Sequence, residues 1–544
     1  MSTSTYNHLI FPGKITLPEV KLPEVLPASN AALRELLVAQ HEAYLAAFKS
    51  LEAQVNDYFN HLVEQFILSR HRVFGASSEV LSTQGRLFDE AESLATDPIE
   101  EFDTTPDVAV ESTVKSEPTP KARGKRAPLP QELPRVDIIH DLPEAERTCP
   151  NGTLKVVIGE EVSEQLDIVP MQIRVLRHIR KTYACQCDGH SPVTADLPPQ
   201  PLPKSNASPN FLATMLINKY VDGLPLTRFS KVLARHDVYV PPQTLARWTI
   251  KTTVQVLQPL FNVMRDYLFD GIYIHIDETV VQVLKEEDKA PTSNSYMWVS
   301  VGGPPDKPVI IYEYDPSRSG QVPVRLLEGY QGYLMTDGYE GYSQLIRTGG
   351  ITHIMCWAHT RRKFMEAKLV QPKGKKGLAD EAVTLIGKLY KIEREYKDKT
   401  DAERLLARQQ FSVPVLDKLH AWLTKNQPTV NPKCLLGKAM AYMHNHWDKL
   451  TPFTERGDLP VDNNRCENAI RPFVIGRKGW LFSDTPAGAK ASAMIYSMVE
   501  TAKASGVEPY NWFCHILREL PSADTLEKIE TLLPWNFKNI DLAA

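Results

Sequence analysis

The stretch GIYIHIDET at residues 271–279 constrains this chain more than any other segment. Ile272, Ile274 and Ile276 fall on one side of a period-two pattern, and Tyr273, His275 and Asp277 on the other. Side chains alternate across a β-strand, so the segment reads as a strand ending on an acidic pair. Strand-like runs follow in SYMWVSV, KPVIIYEY and GYLMTDGYEGY, and helix-like sequence takes over from Ala358. Antiparallel strands followed by strand–helix alternation predict a multidomain α/β chain with a mixed sheet. Asp337 also closes a short apolar strand, directly before Gly338. Two such strand ends in one sheet set two carboxylates side by side, where their repulsion calls for a cation.

Mg²⁺ suits that role, because it takes hard oxygen ligands and leaves room for substrate phosphate. Two such ions about 3.5–4 Å apart clamp the attacking and leaving oxygens of a phosphodiester. The candidate third carboxylate is Glu467, in VDNNRCENAIRPFVIGRKGWLF. Asp462, Asn463 and Asn464 are helix-capping residue types, which places Glu467 in the first turns of a helix. Arg471, Arg477 and Lys478 follow and suit a nearby anionic backbone. Singly, each acid also has an ordinary reading: Asp277 as a turn cap, Asp337 as part of an Asp-Gly turn, Glu467 as a surface helix residue.

The remaining sequence divides by composition. Residues 1–30 are proline-rich and are expected to be mobile. Residues 31–70 form a helix in which Leu37, Tyr44, Leu51 and Tyr58 recur every seventh position, with His41, Phe48, Val55 and Leu62 between them. That spacing is a coiled-coil seam, or an amphipathic helix packed on its own body. Residues 71–135 are acidic and then basic, a linker in which Lys121, Arg123, Lys125 and Arg126 are either solvated or in contact with phosphates. Residues 136–197 alternate as short strands around Cys149, Cys185 and Cys187, with His190 as the fourth candidate ligand. A zinc ribbon needs two close ligand pairs and the first is incomplete here, so a β module folding without Zn is an equal reading. Residues 198–262 carry two short helical patterns separated by residues 236–241, either a plain helical hairpin or a helix-turn-helix that would direct Arg247 and Lys251 to DNA.

Bulk properties narrow the classes. At roughly 100–200 residues per domain, 544 residues make several structural units. A net charge of −4 excludes a wholly basic chain but not a local basic face. Seven cysteines, an odd number, do not make a secreted disulfide framework. The lack of an apolar leader or an apolar span leads to the expectation of a soluble, intracellular protein with no membrane partner.

Along residues 68–537 the chain resembles the insertion sequence 66 family of bacterial transposases. The resemblance is carried by LSRHRVFGASSE, GEEVSEQLDIVP, KYVDGLPLTR, IDETVVQVL, TDGYEGY, CWAHTRRKF, ENAIRPFVIGRKGWLF and the terminal LPWN. It implies a ribonuclease H-like catalytic core over 263–365 and 456–500, split by a helical insertion at 366–455 and followed by a helical tail at 501–544. It also implies a DDE triad of Asp277, Asp337 and Glu467, using two Mg²⁺ ions with Mn²⁺ as a substitute. The implied activity is binding of terminal inverted repeats, cleavage at element ends and transfer of the freed 3′-hydroxyl into target DNA. The implied setting is a homo-oligomer on double-stranded DNA, with small accessory proteins of the same element, in the bacterial cytoplasm at the nucleoid. His359, Arg361 and Arg362 in CWAHTRRKF are either phosphate contacts, joining Arg471, Arg477 and Lys478, or a helix start with solvated cations. Two positions depart from the family pattern: the incomplete first Cys pair, and Gly479 in place of Asn after the Arg-Lys pair. Two other classes compete. One is a DNA-binding regulator without chemistry; the other is a zinc hydrolase built on His353, Cys356 and His359.

Overall fold

The computed structural model describes residues 29–74, 173–179, 181–183, 193–194, 196, 198–347, 349–371 and 376–537. The chain forms two compact units, one of Met1–Ile99 with Leu197–Ala544 and one of Glu100–Asp196. In the second, Thr182–Tyr183 and Val193–Thr194 form a two-residue antiparallel ladder. Cys149, Cys185, Cys187 and His190, with the basic cluster at 121–126, lie outside the described residues.

Helix α1 runs Asn30–Phe74, longer than the heptad pattern requires. Its expected seam divides in two. Leu37, Tyr44, Phe48 and Val55 are solvent-facing, whereas Leu51, Tyr58 and Leu62 are half-buried and Leu68 is buried. Phe59, Val63 and Phe66, in the same half as the half-buried seam residues, are exposed. The C-terminal half touches the body through Asp57, which accepts from Asn431 Nδ2 at 2.8 Å, and Glu64, which accepts from the Leu435 amide at 3.3 Å.

Three short helices come next: α2 (Pro209–Tyr220), α3 (Leu226–Ala234) and α4 (Pro242–Thr252). Ser208 caps α2 by accepting the Phe211 amide at 3.2 Å. Phe229, Leu233 and Leu245 fill the space between the helices, and Trp248 meets Phe211 edge-on at 5.7 Å. The Ser230 hydroxyl clips the turn by donating to the Val240 carbonyl at 2.6 Å. Arg247 and Lys251 stand exposed on α4.

The sheet comprises β1 (Tyr273–Gln282), β2 (Asn294–Gly302), β3 (Val309–Asp315), β4 (Gly332–Thr336) and β5 (Ile351–Met355). Its order is β3-β2-β1-β4-β5. The β1–β2 and β2–β3 pairs are antiparallel, and the β1–β4 and β4–β5 pairs are parallel. This is the mixed sheet that the alternating segments predict. Helix α5 (Tyr342–Arg347) makes the crossover from β4 to β5.

Helices cover both faces. On one side lie α6 (Trp357–Leu369), α7 (Leu378–Glu395), α8 (Val413–Asn426) and α9 (Leu435–Asn445). Their Phe364, Ile386, Leu419 and Met443 share a core with Met335 and Ile354 of the sheet. On the other side α10 (Asn464–Trp480) and α11 (Pro486–Ala504) pack Ile470, Phe473 and Tyr496 against Ile274, Ile276 and Tyr312. Arg408, between α7 and α8, is buried and binds Glu393 through Nε at 2.8 Å and Nη2 at 2.6 Å. It also donates to the carbonyls of Phe453, Arg456 and Leu459, on the loop that leads into α10.

The outer edge of β3 is closed by side chains rather than by a strand. Ser497 of α11 accepts the Tyr312 amide at 2.7 Å, and Thr501 accepts the Ile310 amide at 3.0 Å. Thr501 also donates to the Ile310 carbonyl at 3.1 Å. An uncovered edge is a template for aggregation. Thr501→Val keeps the volume but strands both backbone groups, so it should cost about 1–3 kcal/mol in urea unfolding. A change within error would mean that the edge is held by packing alone.

Candidate active site

Asp277 lies within β1, not at its end. The strand runs on to Gln282 because Thr279, Val280 and Val281 keep their ladder pairs with Met297, Tyr296 and Ser295. The strand boundary read from the acidic pair is therefore too early: β-branched residues after the acids sustain the pairing. Tyr273 pairs with Tyr333 and His275 with Met335 across the parallel β1–β4 ladder. Those pairs end two residues before Asp277 and Asp337, and the two carboxylates are close enough for Asp337 to act on Asp277 electrostatically. Each carboxylate is held locally: Asp277 accepts the Glu278 amide at 2.8 Å, and Asp337 accepts the Tyr339 amide at 2.9 Å. Gly338 permits the close approach of α9, since a Cβ there would stand 2.7 Å from the Tyr442 ring.

Thr336 fixes the end of β4 by donating to the Asp337 carbonyl at 2.6 Å. With its proton so used, Thr336 accepts from His353 Nε2 at 2.7 Å, which selects the neutral tautomer of that histidine. Burial, with Lys449 and His446 nearby, brings His353 down to about 3. The folded chain resists protonation there while the unfolded chain accepts it from about pH 6.5 downward. Stability is then complete above pH 6.5 and falls as the pH drops toward 3. The melting temperature should follow that fall, and His353→Gln should flatten part of it. An unchanged slope in the variant would remove His353 from the account.

Helix α10 delivers the third acid. Glu467 sits in its first turn and is 3% exposed. The capping differs from expectation. Asn463 takes the cap position, but its side chain turns inward, with Oδ1 at 2.8 Å from His275 Nδ1. Its amide donates to Cys356 Sγ at 3.2 Å, so the start of α10 is tied to β1 and to the head of α6. Asp462 instead accepts from the amide and side chain of Asn464.

The electrostatics bind these elements into one site. Burial raises the Asp277 carboxyl well above the usual carboxylate range, and Glu278, Asp337 and Glu467 push it further, while His359 opposes them. His359 Nδ1 lies 3.8 Å from Glu467 Oε1. Hard oxygen donors from three elements, crowded until one resists ionising, are a donor set that fits a divalent cation. Cys356, His359 and Glu467 also have ligand atoms within 4.8 Å of one another. This softer set shares Glu467 with the acids. His353, the third member of the expected zinc cluster, bonds Thr336 instead.

The expected cations fare differently. Arg361, Arg362, Arg471 and Lys478 are half-exposed. His359 is 7% exposed and faces Glu467 rather than the surface. Arg477 is half-exposed and makes a contact the sequence did not foretell: its Nη1 donates to the Val280 carbonyl and to Thr279 Oγ1 at 3.3 Å, clamping α10 to β1. The sequence reading missed Lys363, which stands 4.6 Å over the Tyr442 ring, and missed Glu278 and Arg318 altogether as a pair. Glu278 is buried and accepts from Arg318 Nη2 at 2.6 Å and from the Tyr342 hydroxyl at 2.6 Å. Only its place directly after Asp277 in the sequence could have signalled it.

Comparison with known proteins agrees with this architecture. Residues 204–491 match the profile described as Transposase IS66 family, and 497–535 match the IS66 C-terminal element. Residues 146–188 match the zinc-finger binding domain of transposase IS66, and 61–138 match a segment described as Transposase C of IS166 homeodomain. Three similar proteins come from Sinorhizobium fredii (strain NBRC 101917 / NGR234), each named only as uncharacterized. The protein y4jD is 31% identical over 86% of this chain and 92% of its own length. The protein y4qI is 29% identical over 96% of this chain and 99% of its own, and y4hP is 28% identical over 78% and 79%. With more than half of its length matched by one family profile, the chain belongs to the IS66 family of transposases.

Proposed function

We propose that this chain is a DNA-cleaving and strand-transferring enzyme of a bacterial insertion sequence, with Asp277, Asp337 and Glu467 as its metal-holding acids. The observation that carries the reading is the convergence of those acids, from β1, the end of β4 and α10, around a half-buried Asp277 whose carboxyl they push upward. The strand order β3-β2-β1-β4-β5, antiparallel then parallel, supports a ribonuclease H-like description of the core. Asp277 and Asp337 would hold the first Mg²⁺ and Glu467 would complete a second position. Bound there, the ions supply Lewis-acid activation of a phosphodiester and its attacking oxygen.

The chain's own groups set the geometry. Asn463 and Arg477 fix α10 against β1, which aims Glu467. His359 offsets negative charge at the buried end of the cluster. Arg361, Arg362, Arg471 and Lys478 form a half-exposed cationic rim suited to flanking phosphates. The α3–α4 pair would read the terminal repeats with Arg247 and Lys251 outward. Among the described residues no helix is long and apolar enough to cross a membrane. Zinc in the 146–188 module, a homo-oligomer on DNA and accessory proteins are compatible with this reading.

The test is incubation of the full chain and Mg²⁺ with duplex carrying the inverted repeats that flank its gene. Nicking at the repeat ends and joining to target DNA are expected. Tight binding without any divalent-dependent nicking would instead favour a regulator. For the outward pair, Arg247→Ala and Lys251→Ala should each weaken binding and lower the salt slope by about one. Unaltered salt dependence in both would move the DNA surface elsewhere.

A further inference from the structure

Glu278 stands beside the proposed metal-holding acids yet cannot join them as a ligand without giving up its own bonds. One oxygen accepts from Arg318 Nε at 2.7 Å and Nη2 at 2.6 Å, and the other accepts from the Tyr342 hydroxyl at 2.6 Å. The carboxylate side chain is 2% exposed, and Tyr342 is fully buried. Such a group needs a partner, but a partner serving only that need would be buried with it. Arg318 is not: 44% of its side chain is exposed.

The arginine is also fixed from its other sides. Its guanidinium carbon lies 4.2 Å over the Tyr339 ring, and the Tyr339 hydroxyl donates to the Arg318 carbonyl. The amide of that same tyrosine holds Asp337. Asp337 also acts on Arg318 electrostatically. A planar cation is thus held between solvent and the acids, its Nε and Nη2 spent on Glu278 and its Nη1 making no hydrogen bond among the described residues. It stands beside the acids where, on the proposed function, substrate phosphate would bring further negative charge. A guanidinium already ordered loses little freedom when it binds such an anion.

We propose that Arg318 is a DNA-phosphate contact at the rim of the acid cluster, with Glu278 and Tyr339 as its positioning residues. The proposal rests on the reading of the chain as a DNA-cleaving enzyme and extends it to a residue outside the triad. Its partner is a non-bridging phosphate oxygen of the cleaved or adjoining nucleotide.

The test removes the buried charge and its partner together. The full-length Glu278→Gln/Arg318→Gln protein is compared with wild type on element-end duplex, in Ca²⁺ for binding and Mg²⁺ for cleavage. The melting temperature should stay near wild type, since no buried charge is left unpaired. The salt slope of binding should fall by about one, as for loss of one phosphate contact. Cleavage should fall about 10²-fold, the effect of losing one preorganised donor to the reacting group. Arg318→Lys, which keeps Glu278 paired, should cleave about tenfold more slowly because the planar fork is gone. A folded double variant with wild-type cleavage and salt slope would make the pair structural and overturn the proposal. Should the double variant not fold, wild-type cleavage by Arg318→Lys overturns it equally. A wild type that binds without cleaving would overturn the enzyme reading, while the salt slope still decides the phosphate contact.

Discussion

Asp277→Asn is expected to slow DNA cleavage about 10³-fold while leaving the folded chain at least as stable as before. The first half follows from the role assigned to the carboxylate. Losing a metal-holding acid removes several kcal/mol of transition-state stabilisation, about a 10³-fold loss of rate. The second half follows from its surroundings. Burial and three neighbouring acids disfavour the charged form, so removing that charge relieves a repulsion present in the metal-free fold. An asparagine retains the oxygen that accepts the Glu278 amide. Binding of element-end DNA should persist, because the helix-turn-helix and the cationic rim are untouched. Gel-resolved cleavage and thermal melting without metal check both halves. Retained cleavage would exclude Asp277 from the chemistry. Lost cleavage with a large drop in melting temperature would assign it a structural role instead.

The second large effect concerns a residue away from the acids. Arg408→Ala should cost about 3–5 kcal/mol, the range for removing one partner of a buried ion pair. Glu393 would lose its partner, and the carbonyls of Phe453, Arg456 and Leu459 would lose their donor. Those carbonyls belong to the loop entering α10, so the variant should also loosen the segment that places Glu467. Urea unfolding gives the energy, and hydrogen exchange over residues 452–463 gives the location. A cost below about 1 kcal/mol would show that water replaces the guanidinium there.

The candidate catalytic region was legible where pattern and chemistry coincide. The alternation of Ile274 and Ile276 with His275 and Asp277 identified β1, and the short apolar run before Asp337 identified β4. Their adjacency follows from a parallel register that no local pattern encodes. Glu467 was assigned to the first turn of a helix from its capping residues, and it is there, yet Asn463 acts through His275 rather than as a side-chain cap. Charge type alone did not foresee that Arg477 clamps α10 to β1 or that His359 faces Glu467. A cation near an anionic site is drawn as readily to a strand carbonyl or a buried carboxylate as to a phosphate, and only the fold decides which is in reach. The heptad pattern on α1 gave a long helix, but period alone does not say which seam residues meet the chain's own body, as Leu51, Tyr58 and Leu62 do in part, and which face outward. Glu278 and Arg318 are separated by 40 residues, a distance over which sequence patterns carry no pairing information.

Anomalous diffraction from crystals of the full chain with element-end duplex, soaked in Mn²⁺, tests the central claim most directly. The account predicts Mn²⁺ density coordinated by Asp277, Asp337 and Glu467 and by an oxygen of the DNA. Density confined to Cys356, His359 and Glu467, or none near Asp277, would contradict it.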